Sequence, residues 1–132
     1  MTIVCDASVV VAAFVDETPR RMWAMDLLAS ETLVAPHLVF AEIAHALRRE
    51  ESAGRVSRDT ATFAYEQILD MTIELHSYEP FADRIWALRA NVTPYDAWYI
   101  ALAEAYDLEV ATLDRQLAAA PGVRCGFLLP PL

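Results

Sequence analysis

Short runs of mostly apolar, β-branched residues alternate with longer segments of helical periodicity from one end of the chain to the other. The predicted strands are Thr2–Cys5, Leu33–Ala35, Thr72–Leu75, Val110–Thr112 and, at an edge, Arg124–Leu128. Short hydrophobic strands separated by helices pair in parallel and are buried on both faces. We therefore expect an α/β fold of three layers, in which helices cover a short parallel sheet of order 3-2-1-4-5.

The predicted helices connect these strands, and several of them carry end signals. Ser57 is a favourable N-cap, Thr93 followed by Pro94 begins another helix, and Gly54 ends a third. The helices are expected over Ser8–Val15, Pro19–Ala29, Leu38–Ser52, Ser57–Asp70, Pro80–Ala90, Thr93–Asp107 and Asp114–Ala120. In the second of them we expect most of the large apolar residues to pack in the core: Met22, Trp23, Met25, Leu27 and Leu28.

The length of 132 residues, of which 56% are hydrophobic, is enough for one folded domain, expected over residues 1–132. The longest apolar runs are Val9–Val15 and Ala97–Ala103, with seven residues each, whereas a membrane span needs roughly 18. The N-terminus has no basic segment followed by an apolar one, so we expect a cytoplasmic protein without a membrane anchor. Cys5 and Cys125 are interpreted as small buried hydrophobic residues.

The basic and glycine residues exclude several kinds of chemistry. All ten basic residues are arginines, and the three glycines form no phosphate-binding loop. Without lysine there is no Schiff base and no P-loop lysine. The net charge of −9 also argues against a broad basic face, so nucleic-acid binding would need a metal ion and a few arginines to supply positive charge locally.

Four acidic residues are candidates for a common site. Asp6 ends the first predicted strand and Asp114 lies just beyond the fourth. In the expected strand order these two strands are neighbours, and ligands of such sheets bind at the carboxyl ends of the strands. Glu42 and Asp96 belong to helices whose early turns can face the same crevice. Carboxylates this close repel one another unless a cation such as Mg2+ or Mn2+ joins them, and such an ion activates water in phosphoryl transfer.

Each of these residues also has a purely structural interpretation. Asp6 and Asp114 are favourable helix N-caps, and Asp96 near a helix N-terminus is favoured by the helix dipole. Glu42 is different, because it is surrounded in sequence by apolar residues such as Phe40 and Ile43. A carboxylate in that setting needs a partner.

Four segments together resemble a known family. They are Val4-Cys5-Asp6-Ala7-Ser8, the run from Pro36 to Leu47, the run from Tyr95 to Ala103, and the run from Thr112 to Leu117. In order and spacing they are similar to those of the PIN-domain ribonucleases, and most closely to those of the VapC toxins of bacterial toxin–antitoxin modules. The resemblance covers essentially the whole chain.

The resemblance implies a metal-dependent endoribonuclease that hydrolyses RNA phosphodiester bonds with metal-bound water. Asp6, Glu42, Asp96 and Asp114 would hold one or two Mg2+ or Mn2+ ions, with Ser8 and Thr112 in supporting positions. It also implies a homodimer and a VapB-type antitoxin, whose C-terminal segment would enter a groove at the helix over residues 19–29.

Three further features allow more than one interpretation. His45 lies three residues after Glu42, where many relatives carry Asn; it either hydrogen-bonds as that Asn does or titrates near neutrality and assists proton transfer or metal binding. Arg115 either contacts a phosphate or pairs with an acid. The same choice, between steering RNA and ordinary solvated charge, applies to Arg20, Arg21, Arg48, Arg49, Arg55 and Arg58.

Two other functions remain open at this stage. One is a catalytically silent PIN fold that only binds or scaffolds. The other is a phosphatase of the haloacid dehalogenase kind, which also begins with a strand that ends in Asp. That family needs a second Asp two residues later and a lysine, whereas this chain has Ser8 and no lysine.

Overall fold

One parallel sheet of five strands organises the computed structural model, which describes residues 1–132. The strands are β1 (Thr2–Cys5), β2 (Thr32–Pro36), β3 (Ile73–His76), β4 (Val110–Ala111) and β5 (Phe127–Leu128). Their order is β3-β2-β1-β4-β5, and every neighbouring pair is parallel. The predicted strand order and the three-layer α/β fold are confirmed.

Strand β1 lies in the middle of the sheet. Val4 stands opposite Val34 of β2 on one side and Val110 of β4 on the other. Ile3, Val4 and Cys5 are completely buried, as expected for the apolar residues of a central strand. The carboxyl end of β1 is consequently the point where the chain order reverses, with β2 on one side and β4 on the other.

Seven helices cover the sheet. They are α1 (Ala7–Val15), α2 (Arg20–Ser30), α3 (Val39–Ser52), α4 (Arg58–Leu69), α5 (Ala82–Ala87), α6 (Pro94–Tyr106) and α7 (Arg115–Ala118). Helices α1 to α4 pack on one another, whereas α6 packs on α5 and lies against β1, β2 and β4. All seven residues from Ala97 to Ala103 in α6 are buried, which explains the apolar run in the sequence.

The predicted helix ends agree with the structure at two caps. The hydroxyl of Ser57 accepts a hydrogen bond from the N–H of Thr60 at 3.1 Å, and the hydroxyl of Thr93 accepts one from the N–H of Asp96 at 3.3 Å. Helix α6 ends before Asp107, whose φ of 54° is left-handed. Asp tolerates this conformation better than most residues, so it stops the helix where a glycine is more usual.

Three sequence predictions need correction. The helix predicted over Pro80–Ala90 begins as a 3-10 turn at Glu79–Phe81 and continues as α5 only to Ala87. Met22 and Met25 of α2 are 61% and 42% exposed rather than packed in the core, because α2 contacts the protein mainly through Ala24 and the partly buried residues Trp23, Leu27 and Leu28. Cys5 is buried as predicted, whereas Cys125 is only partly buried.

None of the helices is both long and apolar enough to cross a membrane.

Candidate active site

The carboxylate of Asp6 lies at the carboxyl end of β1 and is fixed by two hydroxyl groups. Its Oδ2 atom accepts hydrogen bonds from the hydroxyls of Ser8 and Thr112, both at 2.8 Å. Thr112 is completely buried, and it is the only polar or charged residue among the buried residues. The two hydroxyls thus hold one oxygen of the Asp6 carboxylate in place.

The same hydroxyls join two turns of the chain. The hydroxyl oxygen of Ser8 accepts a hydrogen bond from the N–H of Leu113 at 3.2 Å, and that of Thr112 accepts one from the N–H of Asp114 at 3.0 Å. The turn after β1 is thereby tied to the turn after β4. Asp6 and Asp114 are held near each other at the switch point of the sheet, as the strand order predicted.

Asp6 and Asp114 differ in whether they cap a helix. Asp6 occupies the N-cap position of α1, yet its side chain accepts no capping hydrogen bond, so the interpretation of Asp6 as a mere cap is wrong. Asp114 does cap α7, since its Oδ1 accepts hydrogen bonds from the N–H groups of Gln116 and Leu117 at 2.9 and 3.2 Å. Only the second carboxylate oxygen of Asp114, Oδ2, accepts no hydrogen bond from these N–H groups.

The partner that Glu42 needs is Tyr99. Glu42 lies in the first turn of α3, and its Oε1 accepts a hydrogen bond of 2.7 Å from the hydroxyl of Tyr99, which is 1% exposed. The sequence indicates that Glu42 needs a partner but does not identify Tyr99. The available signal was a buried tyrosine three residues after Asp96, because such hydroxyls usually have a partner.

The four carboxylates Asp6, Glu42, Asp96 and Asp114, termed the acidic cluster below, interact electrostatically. Burial is the main cause that raises the pKa of Asp6, Glu42 and Asp96 above their usual values. The negative charge of Asp6 raises the pKa of Glu42 and Asp96 further, and that of Asp114 raises the pKa of Asp6 and Asp96. None of the five ion pairs in the protein involves the cluster, so its charges are not neutralised by the chain.

The acidic cluster fits a hard divalent cation by charge and by donor type. Its donors are all carboxylate oxygens, which suit Mg2+ or Mn2+ better than softer metals. In the structure, however, no three His, Cys, Asp or Glu side chains are placed closely enough together to hold a metal ion. An incomplete set of protein ligands is usual for Mg2+, which keeps several of its waters.

Two predicted supporting residues, His45 and Arg115, form no hydrogen bond or ion pair with the cluster. His45 is exposed and forms no hydrogen bond with another residue of the chain, so the asparagine-like hydrogen bond is absent from the structure. The side chain of Arg115 is in no ion pair with an acid; its guanidinium donates a hydrogen bond to the carbonyl of Pro130. It attaches the C-terminal residues to α7.

Two depressions adjoin the cluster, and Ser8 lines both. The first, termed the cleft, has a volume of about 400 Å³ and is lined by residues that include Glu42, His45, Arg49 and Tyr95. The second, termed the groove, has a volume of about 500 Å³ and runs beside α1 and α3 to the start of α2 at Arg20. Glu42 itself lines the cleft, and the groove is lined by Ser8 and Leu113, the residues next to Asp6 and Asp114.

Comparisons with known proteins agree with the fold. The family model described as PIN domain matches residues 3–123. Ribonuclease VapC1 of Mycobacterium tuberculosis is 38% identical over 127 residues, which are 96% of each chain.

Two solved structures share the fold. Mycobacterium tuberculosis VapC20, described as a sarcin-ricin loop cleaving toxin, has a TM-score of 0.69 at 18% identity and matches 92% of this chain and 96% of its own. VapBC2 from Rickettsia felis, solved with a DNA fragment from its promoter, has a TM-score of 0.66 at 12% identity over 96% of this chain and 98% of its own.

Proposed function

The chain belongs to the PIN-domain family, and from this premise we propose that it is a metal-dependent endoribonuclease and the toxin of a toxin–antitoxin pair. The observation that carries the proposal is the acidic cluster, where carboxylates with raised pKa values meet at the switch point of the sheet without a cationic partner. The name of the relative VapC1, a ribonuclease, supports RNA as the substrate.

In the proposed mechanism Asp6, Glu42, Asp96 and Asp114 hold one or two Mg2+ or Mn2+ ions. A bound divalent ion would lower the pKa of a water ligand and stabilise negative charge on the phosphate. The hydroxyls of Ser8 and Thr112 keep Asp6 in one orientation, and the hydroxyl of Tyr99 does the same for Glu42. These buried hydrogen bonds fix the carboxylates before substrate arrives, which lowers the cost of ordering them during the reaction.

We further propose that a VapB-type antitoxin neutralises the enzyme in the cytoplasm, where both proteins meet RNA. Met22 and Met25 on α2 are exposed, and the groove that reaches the start of this helix at Arg20 is lined by both apolar and charged residues. A basic side chain of the antitoxin would complement the carboxylates. We expect the antitoxin to co-purify with the wild type and to be lost from a Met22→Asp/Met25→Asp variant; retention of the antitoxin by that variant would place its binding elsewhere.

The family resemblance also leads us to propose that the protein is a homodimer built from one PIN domain, residues 1–132, in each chain. Light scattering coupled to size-exclusion chromatography measures the mass directly. A mass near twice the 14.7 kDa of the chain is expected at micromolar concentration, and a mass that stays at one chain contradicts this part of the proposal.

The decisive experiment maps the ends of RNA after incubation of total bacterial RNA with the purified, antitoxin-free protein. The reaction contains Mg2+ or Mn2+, and the controls contain EDTA or the Asp96→Asn variant. New ends at defined sequences that disappear in both controls are expected. If a folded preparation produces no new ends and a titration detects no Mn2+ binding, the protein is a silent PIN fold that only binds or scaffolds.

A further inference from the structure

The ring of Tyr95, in the first turn of α6, is exposed and packs on no other aromatic ring. It is 58% exposed, and it takes no part in the four aromatic ring pairs. Three other exposed aromatic residues are supported: Tyr78 packs on Trp98, Tyr106 packs on His76 and Phe81, and Trp86 lies under a guanidinium. Phe63 is exposed and unpaired like Tyr95, but it lines neither depression. The exposure of an unsupported aromatic ring beside the acidic cluster calls for an occupant that covers it.

Tyr95 forms one wall of the cleft, and one face of α3 forms the other. Glu42, His45 and Arg49 follow each other at intervals of three and four residues, which places them on the same side of the helix. Small side chains at Ala7, Ala41 and Ala46 leave the space between the walls open. The volume of about 400 Å³ is within the range of sites for small organic groups.

The cleft is lined by one acidic and one basic side chain of α3, Glu42 and Arg49. Glu42 of the acidic cluster lies among its lining residues, and Arg49, further along α3, is in no ion pair. A guanidinium without a carboxylate partner is well suited to bind a phosphate. The cleft thus combines an aromatic face, a hydrogen-bonding imidazole and a free cation next to the proposed reaction centre.

We propose that the cleft binds an unpaired RNA base next to the scissile phosphate, with the base stacked on Tyr95 and a flanking phosphate bound by Arg49. This inference rests on the proposed function, because the position of the phosphate at the acidic cluster puts the neighbouring nucleotide within the cleft. Aromatic side chains are the usual platforms for single-stranded bases. A base held in a duplex would present only its edge, so the enzyme would select unpaired positions in RNA.

The test measures binding separately from cleavage. Short, fluorescein-labelled single-stranded RNAs are titrated with Asp96→Asn protein in Mg2+, with and without Tyr95→Leu. We expect Tyr95→Leu to weaken binding about 5- to 150-fold, as for the loss of one base–aromatic stack. Tyr95→Phe, which keeps the ring, should stay within about two-fold of the parent. Phe63→Leu is the matched control, because Phe63 is 61% exposed and lines neither depression.

Abasic RNAs identify the contact. At one position, removal of the base should weaken binding to the parent by the same factor as Tyr95→Leu, and should cause no further loss in the Tyr95→Leu protein. Equal affinities of the parent and Tyr95→Leu proteins, or strictly additive losses at every position, would overturn the inference. If Tyr95→Leu lost antitoxin binding but bound RNA as well as the parent protein does, the cleft would be a site for a protein ligand instead.

The outcomes distinguish this inference from the proposed function. Cleavage of RNA by the wild-type protein tests only the function, whereas the comparison of Tyr95 variants tests only the base site. RNA cleavage with normal binding by Tyr95→Leu removes the base site and leaves the nuclease. Stacking without any cleavage by the wild type leaves an RNA-binding PIN fold.

Discussion

At the scale of single residues, the carboxylates of the acidic cluster lower the stability of the metal-free protein at neutral pH. The raised pKa values of Asp6, Glu42 and Asp96 mean that the folded protein holds these protons more tightly than the unfolded chain. Where the folded state binds more protons, the free energy of unfolding falls as the pH rises. The metal-free protein should therefore gain stability from these groups as the pH falls through their raised pKa values, and lose it as the pH rises to neutrality.

The Asp96→Asn variant tests this relation together with catalysis. It should abolish RNA cleavage and, in EDTA at pH 7, raise the free energy of unfolding by up to about 1 kcal/mol, a figure already reduced for the solvent screening of a half-buried group. Denaturant titrations at pH 5 and pH 7 measure the effect, which should be smaller at pH 5.

The matched control for Asp96→Asn is Asp26→Asn, because Asp26 is exposed on α2. This variant should change the free energy of unfolding by less than about 0.5 kcal/mol. Addition of Mg2+ should stabilise the wild type more than Asp96→Asn, since a ligand stabilises the state that binds it. An Asp96→Asn protein less stable than the wild type in EDTA contradicts the argument.

At the scale of elements, the start of α6 sets the position of Asp96. Thr93 caps this helix through the N–H of Asp96 itself, and Ser57 caps α4 in the same way through Thr60. Thr93→Ala and Ser57→Ala should each cost about 1 kcal/mol of stability. Only Thr93→Ala should also slow RNA cleavage, by roughly ten-fold or more, because a displaced carboxylate is costly in catalysis. Equal cleavage rates of the two variants, assayed well below their melting temperatures, would show that the cap does not position Asp96.

Most elements could be predicted from the sequence because local signals and burial agree. β1 is recognisable as an apolar run that ends in Asp6, and the caps at Ser57 and Thr93 have the expected side chains. The exposure of Met22 could not be predicted, since helical periodicity shows which residues share a face but not how much of that face is covered. Similarly, Glu42 could be selected from sequence, whereas its partner Tyr99 depends on how α3 and α6 approach each other.

At the scale of the whole molecule, a second charged network ties the C-terminal segment to the helices. The guanidinium of Arg84 on α5 donates two hydrogen bonds to the carboxylate of Glu104 on α6, at 2.7 and 3.1 Å, and one to the carbonyl of Gly122 at 2.7 Å. The N–H of Arg124 donates to the same carboxylate at 2.7 Å. The segment that leads to β5 is thus anchored through Glu104.

This anchor has the opposite pH dependence to the acidic cluster. Burial alone would raise the pKa of Glu104, but the hydrogen bonds from Arg84 and Arg124 outweigh it and lower the pKa. A carboxyl group with a lowered folded pKa stabilises the fold above its unfolded pKa of about 4.3, and this contribution is lost as the pH falls through the folded value.

The Glu104→Gln variant should therefore be less stable than the wild type by about 1–2 kcal/mol at pH 7. The difference should shrink below about pH 4, where the wild-type carboxyl becomes protonated. Thermal or denaturant unfolding over this pH range measures it, with Glu66→Gln on the exposed side of α4 as the control. A difference that is the same at pH 3 and pH 7 would mean that the charge of Glu104 has no part in the anchor.

The net charge of −9 limits how the molecule can bind RNA. Three of the ten arginines are paired with carboxylates, and the excess of acidic residues opposes a broad basic face, so the salt dependence of RNA binding should be shallow. If Arg49 contacts a phosphate, Arg49→Gln should lower the slope of log affinity against log salt by about 0.7, the value for one phosphate of a single strand. Arg48→Gln, which alters the next residue of α3 outside the cleft, should leave the slope unchanged. Because both variants change the net charge equally, a different slope for Arg49→Gln alone separates a local phosphate contact from the field of the whole protein, and equal slopes would assign the effect to that field.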